Sequence, residues 1–270
     1  MKTPVFIKSL NKKALKINKR LRFVISATIL TAVMLFSTFF FFDRAIFFIP
    51  LLALLSYVLT YFAILEGIEK NEWVNLFIMP VILSIAFYYF YFLVPGRWLT
   101  RLPFVVIYAI SIYALMLCSN IFNVGVEKNL QLYRAAFSIN FFYQTVVYYL
   151  ILNIIFSFKL NFIANGILVS LFTGILSLQF FWTQKLRHNW EKEILIFVLL
   201  ISVMFFEAAV ILSFVPLDVS IFALFLTALY YCLVGLIFNF LDQRLFKETI
   251  REYLIVLGFV LIITLLSISW

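Results

Sequence analysis

One carboxyl stands out as a group that could do chemistry. Glu207 sits in the run ILIFVLLISVMFFEAAVILSF and is the one ionisable acid or base inside the long apolar stretches that make up most of the chain. A carboxyl surrounded by hydrocarbon is costly unless paired; such groups serve proton relays, solute sites or buried hydrogen bonds. A second pattern is Asn140, Gln144 and Tyr148, at four-residue steps. On a helix they share one face, and bare amides in hydrocarbon need partners, so the stripe should face other helices or a wet cavity. Interhelical hydrogen bonding is the simpler reading, and a solute site the sharper one. A third pattern, Gly166, Ser170 and Gly174, repeats the same spacing with small residues. It forms a shallow groove that another helix can approach closely, which speaks to internal packing or oligomerisation rather than chemistry.

Other chemistries have no residues to carry them. The chain holds one histidine, His188, and no H-E-x-x-H, G-x-S-x-G or P-loop motif. No paired Asp motif could hold magnesium against a diphosphate. Glu66, Glu69 and Glu72 read as a solvated acidic surface without further ligands nearby. Cys118 and Cys232 lie in apolar runs and read as small hydrophobes. No cofactor or metal is expected, and the sequence points to a non-enzymatic protein.

The elements that position these residues are set by composition. The chain is 66% hydrophobic and 12% charged, with a mean hydropathy of +1.12. A soluble domain cannot hide that much apolar surface, so the solvent is lipid. An apolar helix needs about 20 residues to cross the hydrocarbon. Runs of that length fall at 23–42, 45–65, 74–94, 103–124, 136–158, 161–182, 194–215, 219–240 and 254–270. The expected fold is therefore all-α, a polytopic bundle of about nine transmembrane spans. With the N-terminus inside and the C-terminus outside, seventeen of the 21 Lys and Arg fall on the inner side. Merging residues 23–65 into one span would remove that bias and strand Arg44 in lipid. Trp73, Trp98, Trp182, Trp190 and Trp270 fall at span ends and read as interfacial anchors. Pro80 falls inside the third span and should kink it.

Two domains follow: a basic amphipathic segment at 1–22 and a transmembrane domain at 23–270. In the first, Phe6, Leu10, Ala14, Ile17 and Leu21 recur at three- and four-residue spacing among Lys and Arg. That pattern predicts a helix lying on the inner membrane surface and attracted to anionic lipids, rather than a cleaved signal peptide. The net charge of +9 is explained in the same way and does not imply nucleic acid. The expected location is a prokaryotic cytoplasmic membrane.

Two functions remain. One is a non-enzymatic membrane protein acting in assembly, scaffolding or lipid interaction, alone or as a homo- or hetero-oligomer. The other is a small permease for a proton-coupled or lipophilic solute, using Glu207 and the fifth-span amides. For Glu207, depth matching nominates hydrogen-bond partners at Tyr148 or Tyr149, Ser170 or Thr173, and Thr227 or Tyr230. The topology makes a direct prediction. Single cysteines at Leu217 and at His188, on a background lacking Cys118 and Cys232, label from opposite sides of the membrane. Labelling of both from one side contradicts nine spans.

Overall fold

The computed structural model describes residues 17–40, 45–65, 73–94, 98–124, 130–185 and 192–268. Within these there are nine helices and no strands: α1 (Lys19–Phe40), α2 (Ala45–Ile64), α3 (Trp73–Leu93), α4 (Trp98–Val124), α5 (Leu130–Ser157), α6 (Phe162–Lys185), α7 (Lys192–Leu212), α8 (Val219–Leu241) and α9 (Lys247–Leu266). All nine are long and apolar enough to cross a membrane. Only helices satisfy every backbone group within one segment, which is why apolar runs of this length fold this way in lipid. The protein is a multi-pass membrane protein.

Four helices begin four or more residues before the spans expected from hydropathy, among them α4, which starts at Trp98 rather than 103. Helix α1 begins at Lys19, so the end of the basic segment belongs to the first span, and Arg22 is fully buried there. The long aliphatic stem of arginine makes such burial near a helix end feasible. Residues 1–16 of the expected surface helix lie outside the described residues. Helix α5 begins six residues early, so Leu130–Ala135 continues the span. Helix α9 starts at Lys247 and carries Arg251 in its second turn. Trp182 is buried near the end of α6 rather than set at an exposed boundary. Helix-end position identifies an interfacial tryptophan only when its helical phase also points outward.

The chain divides into two compact units, Met1–Tyr143 and Gln144–Trp270, with the division inside α5. In the first unit α1 packs on α2 and α4, α2 on α3, and α3 on α4. Pro80 organises its centre. Proline has no N–H to give the carbonyl one turn earlier, so Leu76 O loses its helical donor. Ser119 of α4 supplies a replacement, its hydroxyl donating to Leu76 O at 2.9 Å. The carbonyl of Pro80 itself accepts from Ser56 of α2 at 3.0 Å and from Ser84 at 2.9 Å. Tyr108 of α4 then donates to Ser84 Oγ at 3.0 Å. A helix defect thus becomes a junction that ties α2, α3 and α4 together, as lipid requires of any freed backbone group.

In the second unit α6 and α7 form the most closely packed pair; α8 packs on α7 and α9. The small-residue stripe of α6 explains the first contact. A Cβ on Gly174 would lie 2.8 Å from Ser202 Oγ, and one on Gly166 would lie 2.9 Å from the Phe206 ring. Ser202, Phe206 and Val210 of α7, again four residues apart, therefore fill the groove formed by Gly166, Ser170 and Gly174. The groove serves packing within the chain.

The Pro80–Ser119 pairing is testable by a double-mutant cycle. Ser119→Ala leaves a buried carbonyl unsatisfied and should cost about 1–3 kcal/mol in an unfolding assay. In a Pro80→Ala background the alanine N–H can serve Leu76 O, and the same Ser119→Ala change should cost much less. Equal costs in both backgrounds would show that Ser119 does not compensate for the proline.

Candidate functional site

The stripe on α5 is buried throughout: Asn140, Gln144 and Tyr148 are each 1% exposed or less. Two of the three find partners on α6. Gln144 Nε2 donates to the main-chain oxygen of Leu176 and lies 3.5 Å from Gln179 Oε1. One turn further on, the Tyr148 hydroxyl is 2.7 Å from Thr173 Oγ1. Thr173 already gives its proton to Val169 O, so Tyr148 is the donor in this pair. Asn140 is set apart, because no partner for its Nδ2 exists among the described residues.

Helix α8 adds a second tyrosine. The ring of Tyr230 stacks on that of Tyr148 with centroids 4.4 Å apart, and Phe205 of α7 closes the edge of both rings. The Tyr230 hydroxyl faces that of Ser177 without meeting hydrogen-bond geometry. Three buried oxygens in this cluster, Gln144 Oε1, Ser177 Oγ and Tyr230 Oη, have no hydrogen-bond partner among the described residues. Four helices thus enclose a polar centre that is only partly satisfied. Such a centre can hold a small polar molecule or exchange hydrogen-bond partners, but it contains no acid, base or thiol to drive a reaction. No group of three or more His, Cys, Asp or Glu that could hold a metal occurs among the described residues.

Glu207 does not join this cluster. Of its depth-matched candidates, Tyr148 and Thr173 bond to each other and Thr227 bonds to Ala223 O. Helical phase is the reason. Ile194, Val198, Ile201, Phe205 and Ala209 form the buried face of α7. At about 100° per residue, Glu207 falls some 200° from Phe205, on the opposite side. It is exposed there, between the exposed Val203, Met204 and Ile211. It makes no hydrogen bond or ion pair with any described residue. Helix α7 is roughly 31 Å long, and Glu207 lies about 8 Å from its Leu212 end, in the last third of the span rather than near its middle.

Sequence reasoning named the stripe but not the residues that meet it from α6 and α8. Ser177 and Gln179 were missed, and Thr173 and Tyr230 were nominated only as partners of Glu207. The four-residue step from Thr173 to Ser177 was the signal available.

The site lies inside a recognised family segment. Residues 126–267 match the model of a family described as "Protein of unknown function (DUF5656)". That segment is more than half of the 270-residue chain. The chain belongs to this family. The DUF5656 segment holds α5 to α9, and with them the polar cluster, the small-residue groove and Glu207. No curated protein and no solved structure matches the chain.

The two stacked tyrosines make opposite predictions for the same chemical change. Tyr148→Phe removes a made hydrogen bond and should cost about 1 kcal/mol of stability in detergent. Tyr230→Phe removes a hydroxyl that has no partner, and should be neutral or stabilising. If Tyr230→Phe costs as much as Tyr148→Phe, its hydroxyl is engaged.

Proposed function

We propose that the protein is a non-enzymatic membrane subunit that assembles with a partner through the outward face of α7. The observation that supports this reading is Glu207, a carboxyl exposed on an apolar helix face with no partner among the described residues. A charged or acidic group facing lipid is disfavoured and is normally matched by another polar group. The match is a transmembrane helix of a different protein, bearing a basic or amide donor at the same depth. A second copy of this chain fits poorly, because a symmetric contact at this point would bring two acids together. The bases described on the chain lie near helix ends, as with Lys159, Lys192 and Arg244. The exposed Ile196, Leu199, Leu200, Val203 and Met204 supply the apolar contact around it.

A second reading, a small permease, draws on the three orphaned oxygens of Gln144, Ser177 and Tyr230. It lacks a titrating group in that cluster, since Glu207 is on the other side of α7. Proton coupling through Glu207 would therefore need a second path.

The proposal predicts the outcome of in-membrane photo-crosslinking. A photoreactive residue at Leu200 or Met204, in native membranes, should yield one discrete heterologous adduct. Glu207→Gln should keep the adduct, because the amide still bonds to a donor, and Glu207→Leu should reduce it at least severalfold. A homodimer adduct, or an adduct indifferent to Glu207→Leu, contradicts the reading.

A further inference from the structure

A separate feature lies where the α5–α6 turn meets the α7–α8 loop. A cleft of about 330 Å³ opens there, walled by Phe156, Phe162, Phe214 and Phe222 and floored by Asn165. Phe156 and Phe222 meet edge to face at 4.1 Å between centroids, and the tilted rings of Phe162 and Phe214 lie 5.6 Å apart. The turn that forms one rim is tightly built. Lys159 adopts a left-handed backbone with φ 49°. Asn161 caps α6 by accepting from the Ala164 N–H at 2.8 Å.

Asn165 is the informative residue. It is 7% exposed, and its Nδ2 donates to Leu160 O at 3.3 Å. A carbonyl can only accept, so this bond fixes which end of the amide is nitrogen. Its Oδ1 is left buried and has no partner among the described residues. The other side-chain polar atom lining the cleft, Ser213 Oγ, already gives its proton to Ala209 O at 2.7 Å and can only accept. Two side-chain acceptors therefore sit among the aromatic walls, Ser213 Oγ and, just beneath the surface, Asn165 Oδ1. Phenylalanine faces add an electrostatic preference for a cation or a polarised N–H.

We propose that this cleft binds a small amphiphile that gives an N–H or O–H donor to Asn165 from an apolar body held between the phenylalanines. A cleft of this volume, walled by aromatic side chains with one or two placed polar side-chain groups, has the build of a small-molecule site. The donor can belong to a lipid headgroup or to a free aromatic amine or alcohol. The inference does not depend on the α7 face, and its failure would leave that reading untouched.

The test uses the full chain in phosphatidylcholine nanodiscs, with thermal stabilisation as the readout. Phenethylamine carries the donor, and ethylbenzene has a similar body without it. Phenethylamine should raise Tm saturably and ethylbenzene should not. Asn165→Leu should raise the half-saturating concentration by about tenfold, the effect of losing one good hydrogen bond. Val215→Trp fills the cleft without touching the Asn165–Leu160 bond, so it decides the matter even where Asn165→Leu fails to fold; it should abolish the response. Exchange of phosphatidylcholine for phosphatidylethanolamine separates the sources. A rise in Tm that Val215→Trp removes assigns a lipid headgroup, and its absence beside a phenethylamine response assigns a free amphiphile. Equal stabilisation by ethylbenzene, a donor response that survives Val215→Trp, or no response to either donor overturns the proposal.

Discussion

Lipid offers no hydrogen bonds, and most of this structure is a response to that constraint. A polar group inside a span must be matched by the protein itself or by something bound to it. Leu76 O, freed by Pro80, is matched by Ser119. Gln144 and Tyr148 are matched by α6. Serine and threonine hydroxyls elsewhere return their protons to the preceding helical turn, as Thr173, Ser202 and Thr227 do. Against that background the unmatched groups carry the functional information. They include Glu207 on the outside of α7, Asn140 Nδ2 on α5, the three oxygens around Tyr230, and Asn165 in its cleft.

Packing in the second unit follows the same logic. Without a hydrophobic drive between helices, close contact depends on shape. Gly166 and Gly174 let α7 come near enough for Ser202 and Phe206 to occupy the stripe. That contact fixes the rotation of α7, and the rotation decides which residues turn inward. Phe205 then meets Tyr148 and Tyr230, and Glu207 is forced outward. A small-residue pattern that has no chemistry of its own thus sets the exposure of the one acid in the span. The peripheral α9 shows the contrast: Gly258 meets nothing that a side chain would disturb, and most of the helix is exposed.

Much of the fold was legible in the sequence, because length and hydropathy are what a membrane demands of a span. All nine helices fall on the runs read from composition. The errors lie at their ends, where Lys19–Arg22, Trp98–Leu102, Leu130–Ala135 and Lys247–Tyr253 continue a helix past its apolar run. The Asn140–Gln144–Tyr148 and Gly166–Ser170–Gly174 stripes were visible because their four-residue period survives in one dimension. The outward facing of Glu207 was not visible. Depth follows from counting along a helix, but facing depends on how neighbouring helices pack, and no single sequence period reports that. Asn165 was passed over because it lies beside a turn, outside the apolar centre where polar residues draw notice.

The central claim is that the Glu207 face of α7 is bare in the isolated protein and covered by a partner in its native membrane. Electron paramagnetic resonance with a spin label at Met204, on a background lacking Cys118 and Cys232, measures this directly. The account predicts high collision with dissolved oxygen and low collision with a water-soluble nickel reagent in the purified, reconstituted protein. In native membranes the oxygen accessibility should fall severalfold, towards that of a label at the buried Phe205. Unchanged oxygen accessibility between the two, or strong contact with the nickel reagent in the purified protein, would contradict it.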